Sequence, residues 1–175
     1  GVDNFSTGII RNLEALDEID FINSDLLESR TLLPKSVDVI YHFASPASPE
    51  KYMAQAINTM DVNTVGTRLL LEYSLEIGAR LVFASTSEIY GDPLENPQRE
   101  EYWGNVNPIG PRSVYDEAKR FGETFVAHFQ RESAANAGII RIFNTYGPNM
   151  DPYDGRVVSN FIRQALLGEP LTIYG

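Results

Sequence analysis

The sequence predicts an α/β fold with a doubly wound parallel sheet, and two observations predict it. Short, almost continuously apolar runs alternate along the chain with longer segments of helical period. This alternation is typical of β-α-β units, because parallel strands are covered by helices on both faces. Polar residues also follow one apolar run directly, and the carboxyl ends of strands are where such sheets bind ligands.

Four apolar runs are predicted to be strands, and they span 20–23, 37–44, 81–85 and 139–143. The chain also begins with what resembles the end of a strand at Val2 and ends just after a strand-like run at 171–174. We therefore expect the natural protein to be longer at both ends. In a doubly wound sheet, the strand expected before Val2 is the central one, and its glycine-rich turn binds pyrophosphate.

Three segments are predicted to be helices, at 54–77, 114–133 and 157–167. The apolar stripe of the first consists of Val62, Val65, Leu69, Tyr73 and Ile77, and that of the second consists of Val114, Ala118, Phe121, Phe125 and Phe129. Gly78 and Gly168 are placed to end two of these helices. The proline- and glycine-rich segment 91–111 is predicted to be an irregular connection, and no linker divides the chain into two domains.

Composition excludes several classes of function. Of the 175 residues, 43% are hydrophobic and 22% are charged, as in one globular domain. The net charge of −10 argues against a general binder of nucleic acid or of anionic membranes, so local groups must meet any anionic ligand.

The absence of cysteine excludes disulfides and thiolate metal sites, and His42 and His128 lack metal-ligand spacing. No apolar run approaches the roughly 18 residues of a membrane span, and we expect a cytoplasmic protein.

Tyr115 and Lys119 are the most informative pair, because a spacing of four residues places both on one face of a helix. A tyrosine with a pKa near 10 needs about 4 kcal/mol of preferential phenolate stabilisation to lose about three pKa units and act as a base. A neighbouring ammonium supplies part of that phenolate stabilisation. The alternative is an exposed tyrosine beside a solvated lysine.

Thr86, Ser87 and Glu88 directly follow the strand predicted at 81–85. At this position the hydroxyls are placed to bond a substrate hydroxyl, and Glu88 is placed to act as a second acid or base. The alternative is that the hydroxyls only cap the turn.

Asp3 follows an apparent strand end, where an acidic residue binds the ribose 2′-hydroxyl of NAD and repels the 2′-phosphate of NADP. The alternative is an ordinary turn residue. Arg112, Arg141 and Arg156 are candidate forks for phosphate or carboxylate, with solvation or a structural ion pair as the alternative for each.

Six stretches of the chain together resemble the extended short-chain dehydrogenase/reductase group of nucleotide-sugar enzymes, and within it the UDP-glucuronate decarboxylases. They are VDNFSTG (2–8), YHFASPASP (41–49), ASTSEIYGDP (84–93), YWGNVNPIGPRSVYDEAKR (102–120), RIFNTYGP (141–148) and DGRVVSNFI (154–162). Related dTDP-glucose dehydratases usually carry Asp-Glu where this chain has Ser87 and Glu88. The resemblance implies a Rossmann-like domain fragment over 1–175, lacking the first strand with its glycine-rich loop and the C-terminal substrate region.

The resemblance also implies a reaction, its cofactor and its site residues. UDP-glucuronate is expected to be decarboxylated to UDP-xylose through a 4-keto intermediate, with NAD as cofactor and a homodimer as the assembly. The catalytic residues would be Thr86, Ser87, Glu88, Tyr115 and Lys119, with Tyr115 kept acidic by Lys119. NAD would contact Asp3, Asn4, Phe5, Thr7, Gly8, Asp25, Leu26, Phe43, Ser45, Thr86, Tyr115, Lys119 and Thr145. The UDP-sugar would contact Glu88, Tyr115, Asn144, Arg156, Val158 and Tyr174.

Two alternatives stay open. A 4,6-dehydratase or a 4-epimerase of the same group would use Tyr115 and Lys119 to oxidise the 4-hydroxyl without losing a carboxylate. The chain is alternatively a truncated nucleotide-binding fragment without catalytic activity, because its sequence contains no glycine-rich pyrophosphate loop.

Overall fold

The computed structural model describes residues 1–14, 16 and 18–173. From Val39 onward, α-helices separate the strands, as the sequence predicts. The elements are β1 (Val2–Asp3), β2 (Ile22–Asn23), β3 (Val39–His42), α1 (Pro49–Ala54), α2 (Ala56–Ile77), β4 (Arg80–Thr86), α3 (Ser113–Ser133), β5 (Ala137–Ile142) and α4 (Val157–Leu167).

The strands pair in parallel in two groups, which confirms the α/β class. In the smaller group β1 pairs with β2, and Val2 lies opposite Ile22. In the larger group β4 lies between β3 and β5. Residues 171–173 form no strand, contrary to the prediction for 171–174, and the expected substrate-binding residue Tyr174 lies outside the described residues.

The helix predicted at 54–77 is present as α1 followed by α2. Gly78, with a φ of 72°, ends α2 in the left-handed conformation. Val62 and Tyr73 are buried as predicted, whereas Val65 is 46% exposed, so its place on the buried stripe is wrong. The buried face of α2 instead includes Leu70 and Leu71, which pack in the main hydrophobic cluster.

The buried face of α3 agrees with the prediction in part. Ala118 is buried as predicted, and Phe125 and Phe129 pack against the main hydrophobic cluster. Phe121 is 50% exposed, contrary to the prediction, whereas Gly122 and Val126 face the interior. A Cβ atom on Gly122 would lie 2.5 Å from Cζ of Phe83 in β4 and 3.0 Å from the carbonyl oxygen of Asn63 in α2. Gly122 therefore allows α3 to approach the sheet and α2 closely, which holds the N-terminal turn of α3 at the end of β4.

Gly122→Ala is expected to lower the free energy of unfolding by about 1–3 kcal/mol, because the added methyl group overpacks this contact. Gly138→Ala is the matched control, because a Cβ there would meet only Nη2 of Arg80, at an ordinary 3.7 Å. Urea unfolding of the two variants measures the difference. Equal stability of Gly122→Ala and the parent protein would show that the contact relaxes without cost.

The segment 91–111 forms no helix and is tied to the rest of the fold by polar contacts. Gly91 and Asn105 form an isolated bridge. The guanidinium of Arg120 in α3 donates to the carbonyl oxygens of Ile89 and Trp103, both at 2.8 Å. None of the helices in the described part of the chain combines the length and the hydropathy required to cross a bilayer.

Candidate active site

The carboxyl end of β4 carries the polar cluster that the sequence singles out. Thr86 ends the strand, and a 3₁₀ turn follows at Ser87–Tyr90. The Thr86 hydroxyl accepts a hydrogen bond from the Glu88 amide at 3.2 Å, so it caps this turn. Capping and a role in the site are therefore compatible, since Thr86 also lines the cavity described below.

The first turns of α3 place Tyr115 and Lys119 beside this strand end. Both side chains are buried, with exposed fractions of 6% and 3%. The Lys119 ammonium donates to the Ala84 carbonyl oxygen at 2.7 Å and lies 5.8 Å from the centre of the Tyr115 ring. The alternative of an exposed tyrosine beside a solvated lysine is therefore wrong.

Burial controls the ionisation of both residues. It lowers the pKa of Lys119 to about 7. Burial also raises the pKa of Tyr115 to about 12, and the nearby Glu88 carboxylate acts in the same direction, whereas a hydrogen bond with Thr86 opposes it. Without ligands, burial therefore favours the neutral phenol of Tyr115 over the phenolate.

A cavity of about 600 Å³ brings most of the expected substrate and catalytic residues together. Among its lining residues are Phe43, Ser45, Thr86, Ser87, Glu88, Tyr115, Lys119, Asn144, Thr145, Arg156 and Val158. They come from the ends of β3, β4 and β5 and from the N-terminal turns of α3 and α4. The carboxyl edge of the parallel sheet therefore forms this cavity, as the fold class predicts.

A smaller cleft of about 130 Å³ adjoins the cavity, since Phe43 and Ser45 line both. Residues expected to hold NAD line this cleft, namely Asp3, Asn4, Thr7, Gly8, Asp25 and Leu26. The Asp3 carboxylate accepts from the Phe5 amide at 2.7 Å, as in a turn. Phe5 does not line the cleft, and its ring packs against Phe21 with centroids 5.1 Å apart.

All three candidate arginine forks are paired within the protein, and two of them bind a carboxylate through two nitrogens each. Arg141 binds the Glu123 carboxylate through Nε and Nη2 at 3.0 and 2.8 Å, and Ser85 donates to the same carboxylate at 2.5 Å. Arg141 is therefore a structural ion pair that joins α3 to β4 and β5, not an anion fork. Arg156 pairs with Asp154 through two nitrogens.

The third candidate, Arg112, pairs with Glu88 through Nη2 and donates from Nε to the Tyr52 hydroxyl at 3.2 Å. Sequence reasoning missed Tyr52, which is 1% exposed and stacks on Tyr115 with centroids 4.8 Å apart and an angle of 3°. No local signal marks it, because α1 and α3 meet only in the folded chain. Asp116 was also missed, and burial raises its pKa to about 6.

The two histidines have no place in this site. His42 is 1% exposed, and its Nε2 lies 3.1 Å from the Thr67 hydroxyl. Burial lowers its pKa to about 3 and keeps the ring neutral. No group of three or more potential metal-ligating side chains occurs among residues 1–14, 16 and 18–173.

The fold and the site define a class of protein: a Rossmann-like α/β protein with a buried tyrosine and lysine at the carboxyl edge of its parallel sheet. The chain belongs to the NAD dependent epimerase/dehydratase family, whose sequence profile matches residues 2–175.

The similar curated proteins share a name. The chain is 52% identical over 177 aligned residues to UDP-glucuronic acid decarboxylase 1 of Xenopus tropicalis, which covers 99% of the chain and 41% of that protein. It is 49% identical over 174 aligned residues to UDP-glucuronic acid decarboxylase 3 of Arabidopsis thaliana, which covers 98% of the chain and 50% of that protein. The chain thus spans at most half the length of these two relatives.

Two solved structures with the same fold are epimerases named for UDP-sugars. UDP-glucose 4-epimerase from Thermotoga maritima, with UDP-glucose, has a TM-score of 0.82 and 29% identity over 99% of this chain and 57% of its own. UDP-glucuronic acid 4-epimerase from Bacillus cereus, in complex with NAD and a fluorinated UDP-glucuronic acid, has a TM-score of 0.80 and 28% identity over 100% of this chain and 57% of its own.

Proposed function

We propose that this chain belongs to an NAD-dependent UDP-glucuronate decarboxylase, which forms UDP-xylose through a 4-keto intermediate. One observation carries the proposal: Ser87 and Glu88 line the same cavity as the buried pair Tyr115 and Lys119. The identity of about half of all residues to proteins named UDP-glucuronic acid decarboxylase supports this particular reaction over others of the family.

The residues of the smaller cleft fit NAD. A Cβ on Gly8 would lie 3.3 Å from the Asp3 carboxylate, so glycine leaves this turn open beside an acidic group. Asn4 donates to Asp25 at 2.8 Å, which ties together two segments that line the cleft. Lys119 has three N–H donors, and the described residues supply one acceptor, so the other donors suit a ribose diol. Asp3 would bind the ribose of the adenosine, and Lys119 would bind the ribose at the other end of NAD.

The first chemical step belongs to Tyr115. NAD, when bound, supplies the acceptor and donor chemistry for hydride at C4 of the sugar. Tyr115 takes the proton of the 4-hydroxyl when hydride leaves C4 and returns it to the oxygen when hydride comes back to C4 after decarboxylation, while Thr86 orients that hydroxyl by a hydrogen bond. The Lys119 ammonium stabilises the phenolate form of Tyr115, which burial alone disfavours.

Loss of carbon dioxide then follows from the chemistry of the sugar. A carbonyl group at C4 is β to the carboxylate on C5, so it accepts the electron pair left when carbon dioxide departs. Ser87 and Glu88 lie beside the reacting carbon and provide a hydroxyl and a carboxyl group for proton transfer to C5. Asn144, Arg156 and Val158 contact the nucleotide sugar, and two such chains form the dimer.

A 4-epimerase or a 4,6-dehydratase is the second candidate, because the similar solved structures include these enzymes. Both would use Tyr115 and Lys119 in the same way. They would retain the carbon that a decarboxylase releases.

The test is incubation of the full-length protein with NAD and UDP-glucuronate labelled with ¹³C at the carboxylate. The full-length protein is used because the chain spans at most half the length of its two relatives. Labelled carbon dioxide and UDP-xylose in equal amounts are the expected products. UDP-galacturonate with retained label would instead show a 4-epimerase, and no reaction would contradict the proposed activity.

A further inference from the structure

We propose that Arg112 recognises the carboxylate of the sugar and that Tyr52 is the residue that positions Arg112. This inference rests on the proposed function, since it assigns the selectivity of the same cavity for an acidic sugar. Arg112 lines the cavity together with Glu88 and Tyr115.

Binding of an acidic sugar requires a cation beside Glu88. Glu88 lines the cavity, and an acidic sugar would bring a second carboxylate next to it. Two carboxylates in contact repel each other, so a bound uronate requires a positive group between them. Arg112 already pairs with Glu88 and is therefore the cation placed to separate the two negative charges.

The other two cations of the cavity are less suited to this role. Both Nε and Nη2 of Arg156 are bonded to Asp154, whose side chain is 9% exposed. Lys119 is 3% exposed and bonds the Ala84 carbonyl oxygen. Arg112 is different, because its side chain is 53% exposed. Its Nη1 has no protein acceptor among the described residues.

Tyr52 fixes the direction of the guanidinium. Its hydroxyl accepts from Nε of Arg112 at 3.2 Å, and its ring is held by stacking on Tyr115. The backbone of Arg112 is also fixed, because its carbonyl oxygen accepts from the amides of Tyr115 and Asp116 at 3.0 and 3.1 Å. With Nε directed to Tyr52 and Nη2 to Glu88, the planar fork presents Nη1 as the donor to an incoming carboxylate.

The experiment compares two ligands that differ in the carboxylate. Dissociation constants of UDP-glucuronate and UDP-xylose are measured by calorimetry on the full-length protein and on the Arg112→Gln variant. We expect the variant to bind UDP-glucuronate about tenfold more weakly and UDP-xylose within about twofold of the parent. If the variant binds both ligands more weakly by the same factor, or binds both as the parent does, the proposal is overturned.

Three further variants complete the design. Arg112→Lys keeps the charge but loses the planar fork, and Tyr52→Phe removes only the hydroxyl. Each variant should therefore bind UDP-glucuronate a few-fold more weakly and bind UDP-xylose as the parent does. These two variants also decide the matter if Arg112→Gln does not fold. Arg99→Gln is the matched control, because Arg99 is 70% exposed and pairs with Glu95 outside the cavity.

The outcome separates this inference from the proposed function. If the parent protein binds UDP-glucuronate without releasing carbon dioxide and Arg112→Gln still loses the preference for the acidic ligand, the decarboxylase proposal fails while the role of Arg112 holds. If carbon dioxide is released but Arg112→Gln keeps the preference, the role of Arg112 is overturned. A parent protein that does not bind UDP-glucuronate would overturn both.

Discussion

Tyr115→Phe in the full-length protein is expected to lower the rate of carbon dioxide release from UDP-glucuronate about a thousandfold. The change removes only the hydroxyl group that takes the proton of the sugar 4-hydroxyl. The ring remains, and its parallel stacking on Tyr52 keeps the N-terminal turn of α3 in place. The loss should therefore appear in kcat with little change in the melting temperature.

Tyr153→Phe is the matched control, because Tyr153 is 71% exposed and does not line the cavity. It should retain the rate of the parent protein. Single-turnover release of labelled carbon dioxide measures both variants. A rate for Tyr115→Phe within tenfold of the parent would mean that another group in the cavity, such as Glu88, removes the proton.

The class of the fold and the bounds of some elements could be predicted from the sequence because both depend on local patterns. The helix predicted at 157–167 is observed as Val157–Leu167. Phe121 in α3 was wrongly predicted to be buried, because a large apolar residue was assumed to mark the interior. Gly122 marks it instead, since the aromatic ring of Phe83 fills the space that a side chain would occupy.

The residues of the site could likewise be predicted only where they are grouped by local sequence patterns. Tyr115 and Lys119 lie within one helix, and Thr86 to Glu88 lie at the end of one strand, so their spacing was enough to group them. Tyr52 and the pair of Arg141 with Glu123 join separate elements, and no spacing along the chain reports such contacts. The high pKa of Tyr115 could not be predicted from the sequence either, because it depends on how deeply the phenol is buried.

Lys119→Met is expected to lower the rate of carbon dioxide release by about a hundredfold, because Tyr115 loses the cation that stabilises its phenolate. The methionine is similar in volume and leaves the packing against Phe83 intact, since Nζ of Lys119 lies 5.0 Å from the centre of that ring. Lys35→Met is the control, because Lys35 is exposed and outside the cavity. An unchanged rate in Lys119→Met would show that Tyr115 acts without the ammonium.

The same substitution is expected to stabilise the protein without ligands, in a pH-dependent way. Burial lowers the pKa of Lys119 from 10.5 to about 7 in the folded state, so the unfolded state binds more protons between these two values. The cost of burying the ammonium is therefore fully present below pH 7 and disappears as the pH rises toward 10.5. Lys119→Met should raise the melting temperature most at pH 6, and the gain over the parent should shrink steadily toward pH 10. A gain that is independent of pH would mean that Lys119 has the same pKa in the folded and unfolded states, so that burial does not disfavour its ammonium.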